Sequence, residues 1–266
     1  MSRPEGTVSY DNRGRVALVS GGSQGIGMAV CQAFLASGAH VASIDINSFC
    51  GNPAENFLCL QGDTSSEDDC QRAVLQTVSA FGGLDILVNN AAIQPPDSYV
   101  PVHQSTQASW QRMVEINFSG YTWLAKHAIA HMLRQGSGVV VNMSSGQAHR
   151  TARGVPCYGP IKAANILQAM QWGVEYARNG IRVVSVSPGA IRTPLVEASL
   201  QQQGGEMELA NRHPLGRIGN PEEVAAAVLW LCSPAASFIT ATDLQVDGGL
   251  GAFGAFADPY PKQSPD

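Results

Sequence analysis

Short apolar runs alternate with longer stretches of helical periodicity along the whole chain. The runs are 16–20 (VALVS), 40–44 (HVASI), 57–61 (FLCLQ), 85–88 (DILV), 138–143 (GVVVNM), 181–187 (IRVVSVS) and 243–246 (DLQV). Most are rich in Val and Ile and lack strict polar alternation, the pattern of strands covered on both faces of a parallel sheet. Between them, Ile26, Ala29, Val30, Ala33 and Phe34 follow the stripe of a core-facing helix. Further helices are expected near 66–81, 104–134, 155–178 and 221–232. Asn220-Pro221-Glu222-Glu223 forms the start of the last one: a cap, a proline in the first turn, then acids at the positive end of the helix dipole. Strands that alternate with helices imply βαβ units with right-handed crossovers. The expected fold is therefore α/β, a doubly wound parallel sheet of about seven strands with helices on both faces.

The chain of 266 residues shows no internal repeat and no linker, so 1–266 is read as one domain with its core over 13–250. The stretch 188–220 is too long for a plain connection and is expected to form a lid. Residues 251–266, rich in Gly, Pro and aromatics, form a separate tail. No stretch is apolar enough to span a bilayer, and 1–15 lacks the apolar centre of a secretory signal. Six cysteines show no CxxC spacing, which fits free thiols in a reducing cytoplasm. A net charge of −5 argues against a nucleic-acid partner. Only 14% of residues are charged, which suggests a surface partly covered by other subunits. Of the 16 Lys and Arg residues only Lys126, Lys162 and Lys262 are lysines, so a lysine with a chemical task stands out.

The first strand leads through Ser20-Gly21-Gly22-Ser23-Gln24-Gly25-Ile26-Gly27 into a helix. Gly21 suits a tight turn, Gly25 lets backbone approach a pyrophosphate, and Gly27 lets helix pack on strand. The helix N-terminus then offers N–H groups and a positive dipole to phosphates. Asp45 ends the second strand, where a carboxylate accepts from the adenosine ribose hydroxyls and repels a 2′-phosphate. No Arg or Lys at 22–24 or 46–48 offsets it, so NAD is expected rather than NADP.

The spacing G-x-x-x-G-x-G resembles the short-chain dehydrogenase/reductase family. The resemblance runs from about residue 13 to 250. Asn89-Asn90-Ala91-Ala92 is similar to the family's N-N-A-G motif, with Ala92 in place of glycine, and Pro188-Gly189 to its nicotinamide-side segment. It implies a cofactor wall of Gly21, Ser23, Gln24, Gly25, Ile26, Gly27, Asp45, Ile46, Asp63, Thr64, Asn90, Ala91, Tyr158, Lys162, Pro188, Gly189, Ile191 and Thr193.

Tyr158-Gly-Pro-Ile-Lys162 places a phenol and an ammonium on one helix face. An ammonium about 5 Å away, at an effective dielectric of about 20, favours phenolate by roughly 3 kcal/mol, or about two pKa units. Tyr158 is then a general base near neutral pH. Pro160 is tolerable only in a first turn, so the helix is expected to begin just before Tyr158. The resemblance implies that Ser145 holds the reacting oxygen. It also implies that Asn117 marks a helix kink and holds a water that leads protons from Lys162.

The resemblance places the substrate pocket just after Ser145, where Gln147, His149, Arg150 and Arg153 occur; Arg192 flanks the lid. Guanidinium groups suit anions, so the expected substrate is a polar secondary alcohol such as a sugar, polyol or hydroxy acid, anionic ones included. His127 and His131 share a helix face but lack a third ligand, and no metal is expected. The expected activity is an NAD-dependent interconversion of alcohol and carbonyl. The rival readings are an NADPH-type reductase of carrier-bound acyl groups or steroids, and a catalytically idle dinucleotide sensor. The family resemblance implies a homotetramer, or a homodimer, through the helices that hold Asn117 and Tyr158.

Overall fold

The computed structural model describes residues 6–48, 54–200 and 204–254. Cys50 and the tail beyond Gly254 lie outside these residues.

The chain begins with β1 (Val16–Ser20), α1 (Gly25–Ala36), β2 (His40–Asp45), β3 (Phe57–Gln61), α2 (Glu67–Phe81) and β4 (Ile86–Asn89). It continues through α3 (Gln107–Val114), α4 (Gly120–Gln135), β5 (Gly138–Met143), α5 (Tyr158–Tyr176) and β6 (Ile181–Pro188). It ends with the short α6 (Pro194–Glu197) and α7 (Glu206–Asn211), then α8 (Pro221–Cys232) and β7 (Asp243–Val246). All seven strands form one parallel sheet in the order β3-β2-β1-β4-β5-β6-β7. This is the doubly wound arrangement expected from the sequence.

Alternation along each strand divides the core into two layers. Ala17 and Val19 of β1 face Val30 and Phe34 of α1 and Val224 and Val228 of α8. Leu18, between them, faces the opposite layer with Val74 of α2, Leu124 of α4 and Ala169 of α5. The central strands β1, β4 and β5 are buried along their full length, and the edge strands β3 and β7 are not. The continuous apolar runs therefore mark the strands covered on both sides.

Helix ends follow local chemistry. Ser66 caps α2 by accepting from the Asp69 amide, and Gly82 ends it at a φ of 81°. Asn220 and Glu223 form a reciprocal capping box at the start of α8. α5 starts at Tyr158, so Pro160 falls in the first turn, as expected.

The helical region expected near 104–134, with its kink at Asn117, is α3 and α4 joined by a π-helical turn over Glu115–Ser119. The physical reason is Asn117. Its side-chain amide leaves the helix to clasp Ile93: Oδ1 accepts from the Ile93 N–H and Nδ2 donates to the Ile93 carbonyl, both at 2.8 Å. A wider turn accommodates that excursion.

Gly27 packs on the turn after β1, and a Cβ there would sit on the Gly21 carbonyl oxygen. Neither backbone can yield without moving the sheet. Gly27→Ala is expected to destabilise the fold by about 1–3 kcal/mol, as overpacked sites do. A urea unfolding midpoint, compared with that of Gly83→Ala, where a Cβ would meet only ordinary van der Waals contact, checks this.

Candidate active site

The strand order reverses at β1, and the loops after β1 and β4 part there, at the carboxyl ends of the strands. A cavity of about 520 Å³ opens at this point and runs across to β6, α6 and α7.

One end of the cavity is built from backbone. Gly21 and Gly25 have φ values of +68° and +55°, a region closed to most side chains. A Cβ on Gly21 would also lie 2.9 Å from the Cα of Ala91. α1 begins at Gly25 with Gln24 as its cap residue and no side-chain cap, so its first N–H groups face the cavity. The Ser20 hydroxyl accepts from the amides of Asn90 and Ala91, and Asn90 Nδ2 donates to the carbonyls of Ser20 and Gly21. These bonds lock the turn after β1 to the turn after β4. Asp45 is held by the Ser23 amide at 3.1 Å and the Asn47 amide at 2.9 Å.

Gly21, Gln24, Gly25, Ile26, Asp45, Ile46, Asp63, Thr64, Asn90 and Ala91 line this half; Pro188, Gly189, Ile191 and Thr193 line the next part. Ser23 and Gly27 stand behind the lining: Ser23 positions Asp45, and Gly27 packs under Gly21. Asp63 is fixed by Arg112, whose Nη2 donates to Oδ2 at 2.8 Å, and by the Ser65 amide and hydroxyl. Burial raises its pKa, but these donors outweigh that and leave it below the ordinary value. A cradle of positive-φ glycines, an uncapped helix start and a fixed carboxylate fit the phosphates and ribose of a nicotinamide dinucleotide.

The cavity floor holds Ser145, Tyr158 and Lys162. The Ser145 hydroxyl lies near the Tyr158 phenol and favours its charged form. The Ser145 oxygen also accepts from the Gln147 amide at 3.2 Å, which fixes its direction. Lys162 is only 1% exposed. Its Nζ donates to the Met143 carbonyl at 2.8 Å and to the Tyr121 hydroxyl at 3.1 Å.

The electrostatics differ from the sequence expectation of a phenol pulled below 10. Burial pushes Tyr158 up to about 12, only partly offset by Ser145. Burial also pulls Lys162 down to about 7. Each group is driven towards its neutral form in a dry site, and a lysine that loses its charge no longer attracts a phenolate.

Asn117 sits in the π turn between α3 and α4. Its amide is committed to Ile93 at both ends, and its backbone carbonyl accepts from Asn165 Nδ2 at 2.9 Å. It clamps the loop after β4 against α5.

On the substrate side Gln147 and Arg150 line the cavity. Arg150 Nε donates to the Gly251 carbonyl at 2.5 Å. His149, Arg153 and Arg192 do not line it. His149 turns to the sheet edge and pairs with Asp243 at 2.8 Å, where the same carboxylate accepts from Ser185 and Ser187. Arg153 lies exposed in the turn before α5. Arg192 pairs with Glu206 at 2.5 Å and so ties the segment before α6 to the start of α7. Arg212, just after α7, does line the cavity.

Sequence reading also missed Tyr99, at the mouth opposite Ser199, and Tyr121, fully buried beneath Lys162. Tyr121 lies four residues after Asn117, a spacing that puts both on one helix flank; that was the available signal. His213 was likewise unnoticed. Its Nδ1 faces the Leu209 carbonyl at 2.9 Å and its Nε2 accepts from the Ala190 amide at 3.1 Å. One partner only accepts and the other only donates, so the ring proton sits on Nδ1.

A fold of this kind, with a phenol and an ammonium buried beside a dinucleotide cradle, defines a class of oxidoreductases. Residues 21–251 match the family profile described as Enoyl-(Acyl carrier protein) reductase. The chain belongs to the short-chain dehydrogenase/reductase family. It is similar to 2,5-dichloro-2,5-cyclohexadiene-1,4-diol dehydrogenase of Sphingobium indicum, with 36% identity over 91% of this chain and 99% of that protein. It is also similar to cis-4-hydroxycyclohexanecarboxylate dehydrogenase of Sinomonas cyclohexanicum, with 37% identity over 90% of this chain and 97% of that protein.

Among solved structures, ligand-free aldohexose dehydrogenase of Thermoplasma acidophilum superposes with a TM-score of 0.87. That match has 32% identity and covers 93% of this chain and 98% of the other. A 3-ketoacyl-(acyl-carrier-protein) reductase of Brucella melitensis complexed with NADH gives a TM-score of 0.82 at 31% identity, over 90% of this chain and 99% of the other. The protein is thus an oxidoreductase that interconverts an alcohol and a carbonyl on a polar small molecule, with a nicotinamide dinucleotide as cofactor. Among the described residues no helix is long and apolar enough to cross a membrane.

The Lys162 pKa carries a stability signature. Its folded value of about 7 lies below the ordinary 10.5, so between those limits the unfolded chain binds more protons than the folded one. Stability contributed at this position therefore rises as pH climbs through that window. Lys162→Met should raise Tm most below about pH 7, and its advantage over the wild type should shrink towards about pH 10. Thermal melts of both proteins across that range check this; a difference independent of pH would count against it.

Proposed function

We propose that this protein is an NAD-dependent dehydrogenase of a cyclic or polyhydroxylated secondary alcohol, with Tyr158 as its general acid–base. The observation that carries the reading is the continuity of one cavity from the Gly21–Gly25 cradle and Asp45 to the buried Tyr158–Lys162 pair. The nicotinamide ring, when bound, accepts or supplies the hydride. Everything else is done by the chain.

Ser145, held by the Gln147 amide, directs its hydroxyl at the substrate oxygen in both the alcohol and carbonyl states. Tyr158 takes the hydroxyl proton in oxidation and returns it in reduction. Lys162 stabilises the phenolate that results and binds ribose. Asn117 keeps the loop after β4 at a fixed distance from α5, and the proton released at Tyr158 leaves along the polar groups around Lys162. Pro188, Gly189, Ile191 and Thr193 form the nicotinamide side, with α6 and α7 as a lid over 188–220.

Asp45 supports NAD over NADP. Its two oxygens already accept from the Ser23 and Asn47 amides, which fixes a negative charge where a 2′-phosphate would lie. The 32–37% identity to dehydrogenases named for cyclic diols, hydroxy acids and aldohexoses supports a substrate with several polar groups. Arg150 is the residue best placed to read an anionic one. The exposed Leu167 and Val174 on α5 support assembly of copies, as a homotetramer, through that helix face. The free thiols support a cytoplasmic location.

Tyr158→Phe should lower kcat by ~10²–10⁴-fold while NAD still binds, the usual contribution of general acid–base catalysis. NAD fluorescence titration beside steady-state rates separates the two effects, and retained turnover would refute the role. Asp45→Ala should cut the preference for NAD over NADP by about tenfold or more, or ~1.4 kcal/mol; kcat/KM for both cofactors reads it. A panel of hydroxy acids, sugars and neutral cyclic alcohols should show Arg150→Ala losing about tenfold in kcat/KM on the carboxylates alone. Equal losses on all of them would remove the anion reading and leave the dehydrogenase reading intact.

A further inference from the structure

A lysine ammonium has three N–H bonds to give. In Lys162 two are taken by the protein itself, one by the Met143 carbonyl and one by the Tyr121 hydroxyl. Tyr121 donates its own hydrogen to that same carbonyl at 3.0 Å. The Tyr121 oxygen therefore has its hydrogen engaged and a lone pair turned to the ammonium. Lys162 Nζ also lies 5.1 Å from the centroid of the Tyr121 ring and 5.6 Å from that of Tyr158. Two phenol rings, one from α4 and one from α5, flank a single cation.

The two phenols have different duties. Tyr158 lines the cavity and Tyr121 does not. Tyr121 is fully buried, and burial, with Tyr158 close by, holds its pKa well above the ordinary value, so it stays neutral. We propose that Tyr121 is a positioning residue for the reaction, whose hydroxyl and ring keep Lys162 an ammonium and hold it beside Tyr158.

The need for such a group follows from what surrounds the lysine. It is faced by Tyr121 from α4, by Tyr158 from its own helix and by the Met143 carbonyl from β5, with Tyr99 beyond Tyr158. None of these is a carboxylate. A buried cation without a counter-ion keeps its proton only through hydrogen bonds and ring faces that favour the charged form. The hydroxyl of Tyr121 is the part of that set that a phenylalanine lacks. Once Lys162 is neutral, the phenolate of Tyr158 loses its stabilising charge, and proton abstraction needs a higher pH.

The proposal rests on Tyr158 as the acid–base, but it can be read without turnover. With only three lysines in the chain, lysine-specific ¹³C labelling of the whole protein with saturating NAD resolves the ε-carbon of Lys162. Lys126, a surface residue paired with Glu67, is the internal control. In Tyr121→Phe the titration midpoint of Lys162 should fall by about one unit, and that of Lys126 should stay. The acid limb of kcat/KM for alcohol oxidation should move to higher pH by a similar amount, with KM for NAD changed less than about twofold. An unmoved midpoint, or a loss of rate uniform across pH, would overturn the proposal and leave Tyr121 as filling for the core. If Tyr121→Phe does not fold, Tyr121→Met is titrated in the same way, with the same two outcomes. If Tyr158→Phe retains turnover, the acid–base reading fails while the lysine titration still reports on Tyr121.

Discussion

The chain runs outward from β1 to β2 and β3, then crosses back to place β4 on the other side of β1. This reversal is the constraint on which the site depends. Loops that leave neighbouring parallel strands in the same direction crowd one another, whereas loops that leave β1 and β4 diverge. The gap must still be held at a fixed width, and the Ser20 hydroxyl does this by accepting the amides of Asn90 and Ala91 together. The cradle is therefore made of rigid backbone, and its chemistry is the chemistry of free N–H groups.

The other half of the cavity obeys a different rule. The Tyr158–Lys162 floor is dry and lies above the packed layer under α4 and α5. Burial drives both groups towards neutrality, so charge there is present only as far as neighbouring dipoles sustain it. The polar amides at Asn89, Asn142, Asn165 and Gln168 surround this floor and are bonded largely to one another and to backbone. Such a network resists substitution, because loss of one member leaves another buried and unpaired. Arg150, by contrast, lines the cavity as an exposed side chain that can change without disturbing the sheet.

Much of this was legible in the sequence, for physical reasons that differ along the chain. The runs 16–20, 57–61, 138–143 and 243–246 coincide with β1, β3, β5 and β7 because turn residues bound them tightly. The glycine turn and Asp45 could be read because their tasks restrict residue choice at fixed spacing. Pro160 fixed the start of α5 through its missing N–H. The break at Asn117 was legible through the family resemblance, but its π form was not: its cause is a contact between Asn117 and Ile93, 24 residues apart in the chain. Nor could sequence tell which arginines face the cavity. His149 and Arg192 find carboxylates at Asp243 and Glu206, partners brought by tertiary structure alone, while Arg212 occupies the place expected of Arg192. Tyr121 escaped notice because an aromatic on a buried helix face looks like core.

His213 joins two parts of the molecule that the chain treats separately. Its ring hangs from the carbonyl of Leu209 in α7 and carries the amide of Ala190 in the loop after β6. Leu209 and Ala190 both border the cavity. A displacement of α7 is thus transmitted to the Ala190 backbone through a single rigid ring. α7 and the loop after β6, which border the cavity from two sides, share one fulcrum.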